Sequence, residues 1–321
     1  MGSGGRRQLV PRRDIDYAAL VKKYEKQGYK KETLSQYDSH IRQFRLYCET
    51  LEVRAFPLQQ ETVKEFMAWL IHTGRPGSLK GAWTAIVHEQ EDKCRQEPPF
   101  VKTKAVKALE RAAEMELTKR GAKPRDAFLS SMARYFCIKV NKYKRDDVMG
   151  AAILTIGIRG FLRAGEIMGL KFKHITAHFG YLTLNLGSRK NRRRDAPVIF
   201  LDESGNKSSC PVKNLQRWME MRKTEGHAGP EDYVFTTAPK KKIHISYKHV
   251  SDLVRKAAEM AGASGNFSGH SLRIGGATEA LMAGFSELQV RVMGDWKSDA
   301  YMRYLRAVEP AALGASRRMG L

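Results

Sequence analysis

The chain has 321 residues, a length that suggests about two domains of roughly 150 residues each. With 42% hydrophobic and 28% charged residues it reads as globular, which excludes a disordered tail, and the absence of any run of 18 apolar residues excludes a membrane span. Lys and Arg number 57 against 34 Asp and Glu, so the formal charge is +23 and nucleic acid is the expected partner, ahead of an anionic membrane face.

The N-terminal MGSGGRRQLVPRRD lacks the apolar stretch of a secretory signal. Cys48, Cys94, Cys137 and Cys210 lie far apart, with no C-x-x-C and no His at metal spacing. Reduced thiols, an intracellular location and no structural zinc are the expectations.

Residues 1–13 form a basic tail, and from 14 to 120 the pattern is helical. KKETLSQYDSHIRQFRLYCETL places Leu34, Tyr37, Ile41, Phe44 and Tyr47 on one face, at the spacing of an amphipathic helix. LQQETVKEFMAWLIHTG does the same with Val63, Phe66, Met67 and Leu70, and SLKGAWTAIVHEQEDK and KTKAVKALERAAEMELTKRG supply two more helices. This part predicts a helical bundle.

Gly, Pro and charge mark 121–128 as a linker. The second domain, 129–321, begins with helical patterns running through YFCIKVNKYKRDDVMGAAILTIGIRGFLRAGEIMGL. In YLTLNLGSRKNRRRDAPVIFL, Leu182, Leu184 and Leu186 alternate with Thr183 and Asn185, and a basic turn separates them from PVIFL, which predicts a β-hairpin. Helices then return. The expected fold is mainly α: an N-terminal helical bundle followed by an α+β domain with a small antiparallel sheet.

Several residues of the second domain have the chemistry to handle phosphate. Arg163 and Glu166, three apart, share a face of an apolar helix, either as an ordinary ion pair or as a guanidinium that an anion would complete. Lys190 lies in the basic hairpin turn, and an ammonium there can reach a phosphate or give up its proton. His270 and Arg273 form H-x-x-R at a helix start, where anions are favoured. Trp296 offers one indole N–H, and Tyr301 and Tyr304 offer hydroxyls. Each alone is also an ordinary structural residue. No Walker-type Gly-rich loop and no paired carboxylates suited to two-metal hydrolysis accompany them.

Their order along the chain (R-x-x-E, hairpin lysine, H-x-x-R, a tryptophan, then a tyrosine) resembles the tyrosine recombinases and integrases. GHSLRIGGATEALMAGFSELQVRVMGDWKSDAYMRYLR is similar to the Cre-like catalytic segment, and its K-S-D-A-Y-x-R-Y-x-R ending resembles recombinases of DIRS-type and Crypton mobile elements. FLRAGEIMGLKFKHI is similar to the family's first arginine motif and LGSRKN to its hairpin lysine.

The resemblance implies a helical core DNA-binding domain over 14–120, a catalytic domain over 129–321, and site-specific strand exchange through a 3′-phosphotyrosyl intermediate, with no metal, ATP or other cofactor. It implies that Arg163 and Arg273 clamp the scissile phosphate, Trp296 donates its N–H to it, and His270 handles protons or donates a hydrogen bond. Lys190 would protonate the leaving 5′-oxygen, and Glu166 would hold the arginine and histidine side chains in place. Tyr304 is the expected nucleophile, because it lies eight residues after Trp296 and precedes an apolar residue; Tyr301 fits that spacing less well.

Candidate DNA contacts are Lys80, Arg189, Arg192, Arg193, Arg194, Lys240, Lys241 and Lys242. The expected partners are double-stranded DNA with inverted half-sites and three further copies of the chain, a tetramer on DNA and a monomer or dimer off it, with no membrane. A type IB topoisomerase-like enzyme and a non-catalytic DNA-binding relative are the competing readings.

Overall fold

The structure is a computed structural model that describes residues 31–101, 103–119, 124–186, 198–239 and 243–296, together with the isolated positions 16, 19, 28 and 121. The chain divides into two compact units, 1–122 and 123–321.

The first unit contains α1 (Lys31–Thr50), α2 (Gln60–His72), α3 (Leu79–Cys94) and α4 (Lys104–Lys119). The apolar stripes face inward as their spacing predicts. Ile41, Phe44 and Cys48 of α1 are buried, as are Val63, Phe66, Met67 and Leu70 of α2. Leu34, Tyr37 and Tyr47 lie at the half-buried margin of the stripe. Phe44 meets Phe66 edge-on at 5.1 Å, and burying each such ring contributes about 1.5–3 kcal/mol. Gln90, buried on α3, accepts the Leu58 N–H at 2.9 Å and so fixes the loop entering α2.

The second unit is built around α6 (Arg145–Arg159), whose residues from Asp147 to Ile158 are all buried except half-buried Met149. A helix that is apolar all round belongs inside, and α5 (Ser130–Lys139), α8 (Pro211–Thr224), α9 (Tyr247–Met260) and α10 (Ser271–Met282) pack around it. The predicted hairpin is present as β2 (Tyr181–Asn185) and β3 (Val198–Asp202). A further strand, β1 (Ile175–His178), which the sequence reading passes over, pairs antiparallel with β2 in a sheet of order β1-β2-β3. Leu182, Leu184, Ile199 and Leu201 cover the core from one face of the sheet.

Residues 124–128, read from sequence as linker, are fastened to the second unit. Phe128 is fully buried in its core, and the Phe128 N–H donates to Ser271 O at 3.0 Å. The approach is this close because residue 275 is glycine: a Cβ there would overlap the Phe128 carbonyl. Gly276, next in sequence, likewise leaves room for Ile158 O and the Phe161 ring. The two glycines of R-I-G-G-A therefore let α10 lie directly on the backbone that carries the candidate site.

Candidate active site

Arg163 and Glu166 do not sit on one long helix. Helix α6 stops at Arg159, Phe161 turns the backbone with φ 49°, and a short helix, α7 (Ala164–Met168), begins after Arg163. Arg163 is its extended N-cap, and Glu166 occupies the third helical position. The Glu166 carboxylate accepts the Arg163 backbone N–H through Oε2 and the guanidinium Nη1 through Oε1, both at 2.8 Å. One carboxylate thus caps the helix and orients the arginine. Its side chain is 14% exposed against 35% for Arg163, so the guanidinium is the member of the pair that reaches outward. The difference from the sequence expectation is physical: the apolar run continues across Gly160–Leu162, but the backbone reverses there.

His270 and Arg273 flank the start of α10. Ser268 N–H donates to Ser271 Oγ at 3.0 Å, and Gly269 N–H donates to Ser251 Oγ at 3.1 Å, which pins the loop that ends in His270. Arg273 is 1% exposed. Its Nη1 donates to Phe161 O at 2.6 Å and its Nη2 to Gly294 O. The first bond fastens α10 to the reversal just ahead of Arg163. The second reaches the end of α11 (Glu287–Gly294), two residues before Trp296.

The indole of Trp296 lies under the guanidinium, with the Arg273 carbon 4.0 Å from the ring centroid. Its other neighbours are Phe161, Ala277, Ala280 and Val290 in a small satellite core. Gly294 is required at the helix end because a Cβ would enter the indole ring. Arg291 Nε donates to Trp296 O at 3.1 Å and closes the turn.

His270 is half-buried, and its pKa is lowered from 6.5, first by burial and then by the positive charges of Arg273, Arg163 and Arg125. The imidazole is therefore neutral at pH 7. Arg163 and Arg273 lie 110 residues apart in sequence, yet the Arg273 bond to Phe161 O ties them within two residues of one another. Arg125 is the member that the sequence reading missed. No local pattern marks it, because it sits among Gly, Pro and charge in an apparent linker.

The structure thus brings Arg163, Glu166, His270, Arg273 and Trp296 together around Phe161. Lys190, Tyr301 and Tyr304 lie outside the described residues, as do Arg189, Arg192, Arg193, Arg194, Lys240, Lys241 and Lys242. What is described of their settings is the framing: β2 ends at Asn185 and β3 begins at Val198, either side of the basic turn. The stretch before Lys240 is held by Arg145, which donates to Thr236 O at 2.9 Å and to Glu225 Oε1 at 2.7 Å. Lys80 is exposed near the start of α3, in the first unit. Among the described residues no group of three or more His, Cys, Asp or Glu side chains is placed to hold a metal ion, and no helix is long and apolar enough to cross a membrane.

A helical unit joined to a mixed unit with a three-stranded antiparallel sheet, in which R-x-x-E, H-x-x-R and a tryptophan converge, is the architecture of the tyrosine recombinases. The chain belongs to the phage integrase family, whose model matches residues 136–309, and is by family a tyrosine-type site-specific recombinase. Among solved structures it is similar to a lambda integrase(75-356) dimer bound to a COC′ core site, at 18% identity, with a TM-score of 0.55 and coverage of 89% of this chain and 94% of that one. The Tn1549 transposon integrase in complex with transposon right end DNA is similar at 12% identity and a TM-score of 0.58, covering 95% and 98%. XerH site-specific recombinase bound to palindromic difH substrate is similar at 13% identity and a TM-score of 0.56, covering 81% and 72%. At these identities the likeness is one of fold. No curated protein sequence matches.

Proposed function

We propose that this recombinase cleaves and rejoins DNA strands through a 3′-phosphotyrosyl intermediate formed by Tyr304, without metal or ATP. The observation that carries the reading is the pair of bonds from Arg273 to Phe161 O and Gly294 O, which ties the helix that begins after His270 to the backbone just ahead of Arg163 and to the turn before Trp296. In the proposed step the Tyr304 hydroxyl attacks a backbone phosphorus. The new P–O bond forms as the bond to the 5′-oxygen breaks.

Negative charge grows on the non-bridging oxygens; Arg163 stabilises it through its planar fork, and Arg273, whose terminal nitrogens also hold Phe161 O and Gly294 O, through its charge and its remaining N–H groups. Glu166 holds Arg163 in place without touching substrate. Trp296 donates its N–H to the same phosphate. Neutral His270 accepts the tyrosine proton, and Lys190 gives a proton to the leaving 5′-oxygen. A 5′-hydroxyl from a second strand then reverses the step and releases Tyr304, so that no bond energy is lost to water.

In this reading the helical unit over 14–120 grips DNA, with Lys80 toward phosphate, and 129–321 is catalytic. Arg189, Arg192, Arg193, Arg194 and Lys240, Lys241 and Lys242 add backbone contacts. Exchange between two duplexes requires four protomers on inverted half-sites. The +23 charge and family membership support DNA as the partner.

Incubating the full chain with a random-sequence duplex pool and running a denaturing gel tests the reading. A covalent protein–DNA band is expected. Its absence, with non-covalent binding intact, would leave a binding-only protein; relaxation of a supercoiled plasmid without joining of two sites would make it a topoisomerase.

A further inference from the structure

Residues 124–126 are not a free tether. Asp126 and Asn266 are joined in both directions: the Asp126 N–H donates to Asn266 O at 3.2 Å, and the Asn266 N–H donates to Asp126 Oδ2 at 2.6 Å. Asn266 Nδ2 also donates to Pro124 O at 3.3 Å. Gly265 leaves room for this clasp, since a Cβ there would lie 2.6 Å from Asp126 Oδ2. Between the two tied residues stands Arg125, whose Nη1 donates to Asn266 Oδ1. Among the described residues its hydrogen-bond partner is a neutral amide and no ion pair joins it, so the guanidinium is positioned by a group that carries no charge.

Asn266 lies four residues before His270, and the field of Arg125 is felt at the imidazole together with those of Arg273 and Arg163. Three guanidiniums acting on one half-buried point repel one another, and an anion bound among them relieves that repulsion. Arg125 is exposed, so beyond its bond to Asn266 the guanidinium stays accessible to an anion. We propose that Arg125 is a third phosphate-binding arginine of the site, aimed by Asn266 at the same stretch of DNA backbone that Arg163 and Arg273 hold. The assignment rests on the strand-cleavage reading for the identity of the anion. It makes the segment entering the second unit a substrate contact, tied through Asn266 to the loop that carries His270.

The test uses the full chain and a fluorescently labelled duplex of mixed sequence. Loss of one phosphate contact in Arg125→Ala lowers the slope of log affinity against log salt by about 0.9. Arg125→Lys keeps the slope, and the control Lys223→Ala, on α8 and paired with Glu220, leaves it unchanged. In the free protein, NMR titration of His270 in Arg125→Ala shows its pKa rising toward 6.5, a change that loss of packing at an exposed residue would not produce. An unchanged salt slope in Arg125→Ala overturns the assignment, as does an unmoved His270 titration. Neither measurement needs the tyrosine. Absence of a covalent band would therefore sink strand cleavage alone, whereas an unchanged slope in a chain that forms the band would sink only Arg125.

Discussion

Tyr304→Phe abolishes covalent attachment to a nicked suicide substrate, while Tyr301→Phe retains it. Removing one hydroxyl oxygen leaves the fold and the charge untouched, so the chain still binds DNA but has no nucleophile to form the phosphodiester. The contrast with Tyr301 is informative because the two residues are three apart and chemically identical. A covalent band persisting in Tyr304→Phe would refute the choice of nucleophile. Loss of the band in both variants would mean that the segment matters structurally as well as chemically.

Arg273→Ala has the next largest effect, and it acts on two levels. Cleavage falls by at least about 10²–10³-fold, the loss typical of removing one donor to a charged transition state. The substitution also strips the hydrogen-bond donors from Phe161 O and Gly294 O and the cation from the Trp296 face. Each buried carbonyl left unpaired costs about 1–3 kcal/mol, so the melting temperature falls too. Arg163→Ala separates the two effects. That side chain is more exposed and pairs with Glu166, so its loss should slow cleavage comparably with a smaller fall in stability. Single-turnover cleavage beside thermal unfolding measures both. Wild-type cleavage in either variant would contradict the site, and both variants should still bind duplex DNA.

The sequence makes these residues legible as a set because their types and order survive without knowledge of the fold. The helices of the first unit are equally legible: Val63, Phe66, Met67 and Leu70 read as one face and are buried as one face. What escapes is what tertiary contacts decide. The reversal at Phe161 breaks a run that is apolar on both sides, and it is fixed by Arg273 from another helix. Strand β1 has four residues and exposes three of them, too short and too polar for alternation to show before β2 pairs with it. Arg125 reads as linker because its partner, Asn266, is 141 positions away. Lys190 and Tyr304 lie outside the described residues and are assigned from their order in the sequence.

If the side chains clustered around Phe161 serve a tyrosine that joins DNA, identification of the DNA-linked residue tests it most directly. Covalent complexes trapped from a random duplex pool, digested with nuclease and protease, would yield the modified peptide for mass spectrometry. The prediction is a nucleotide joined by its 3′-phosphate to Tyr304. A link at Tyr301 or at any other side chain, or one made through a 5′-phosphate, would contradict it.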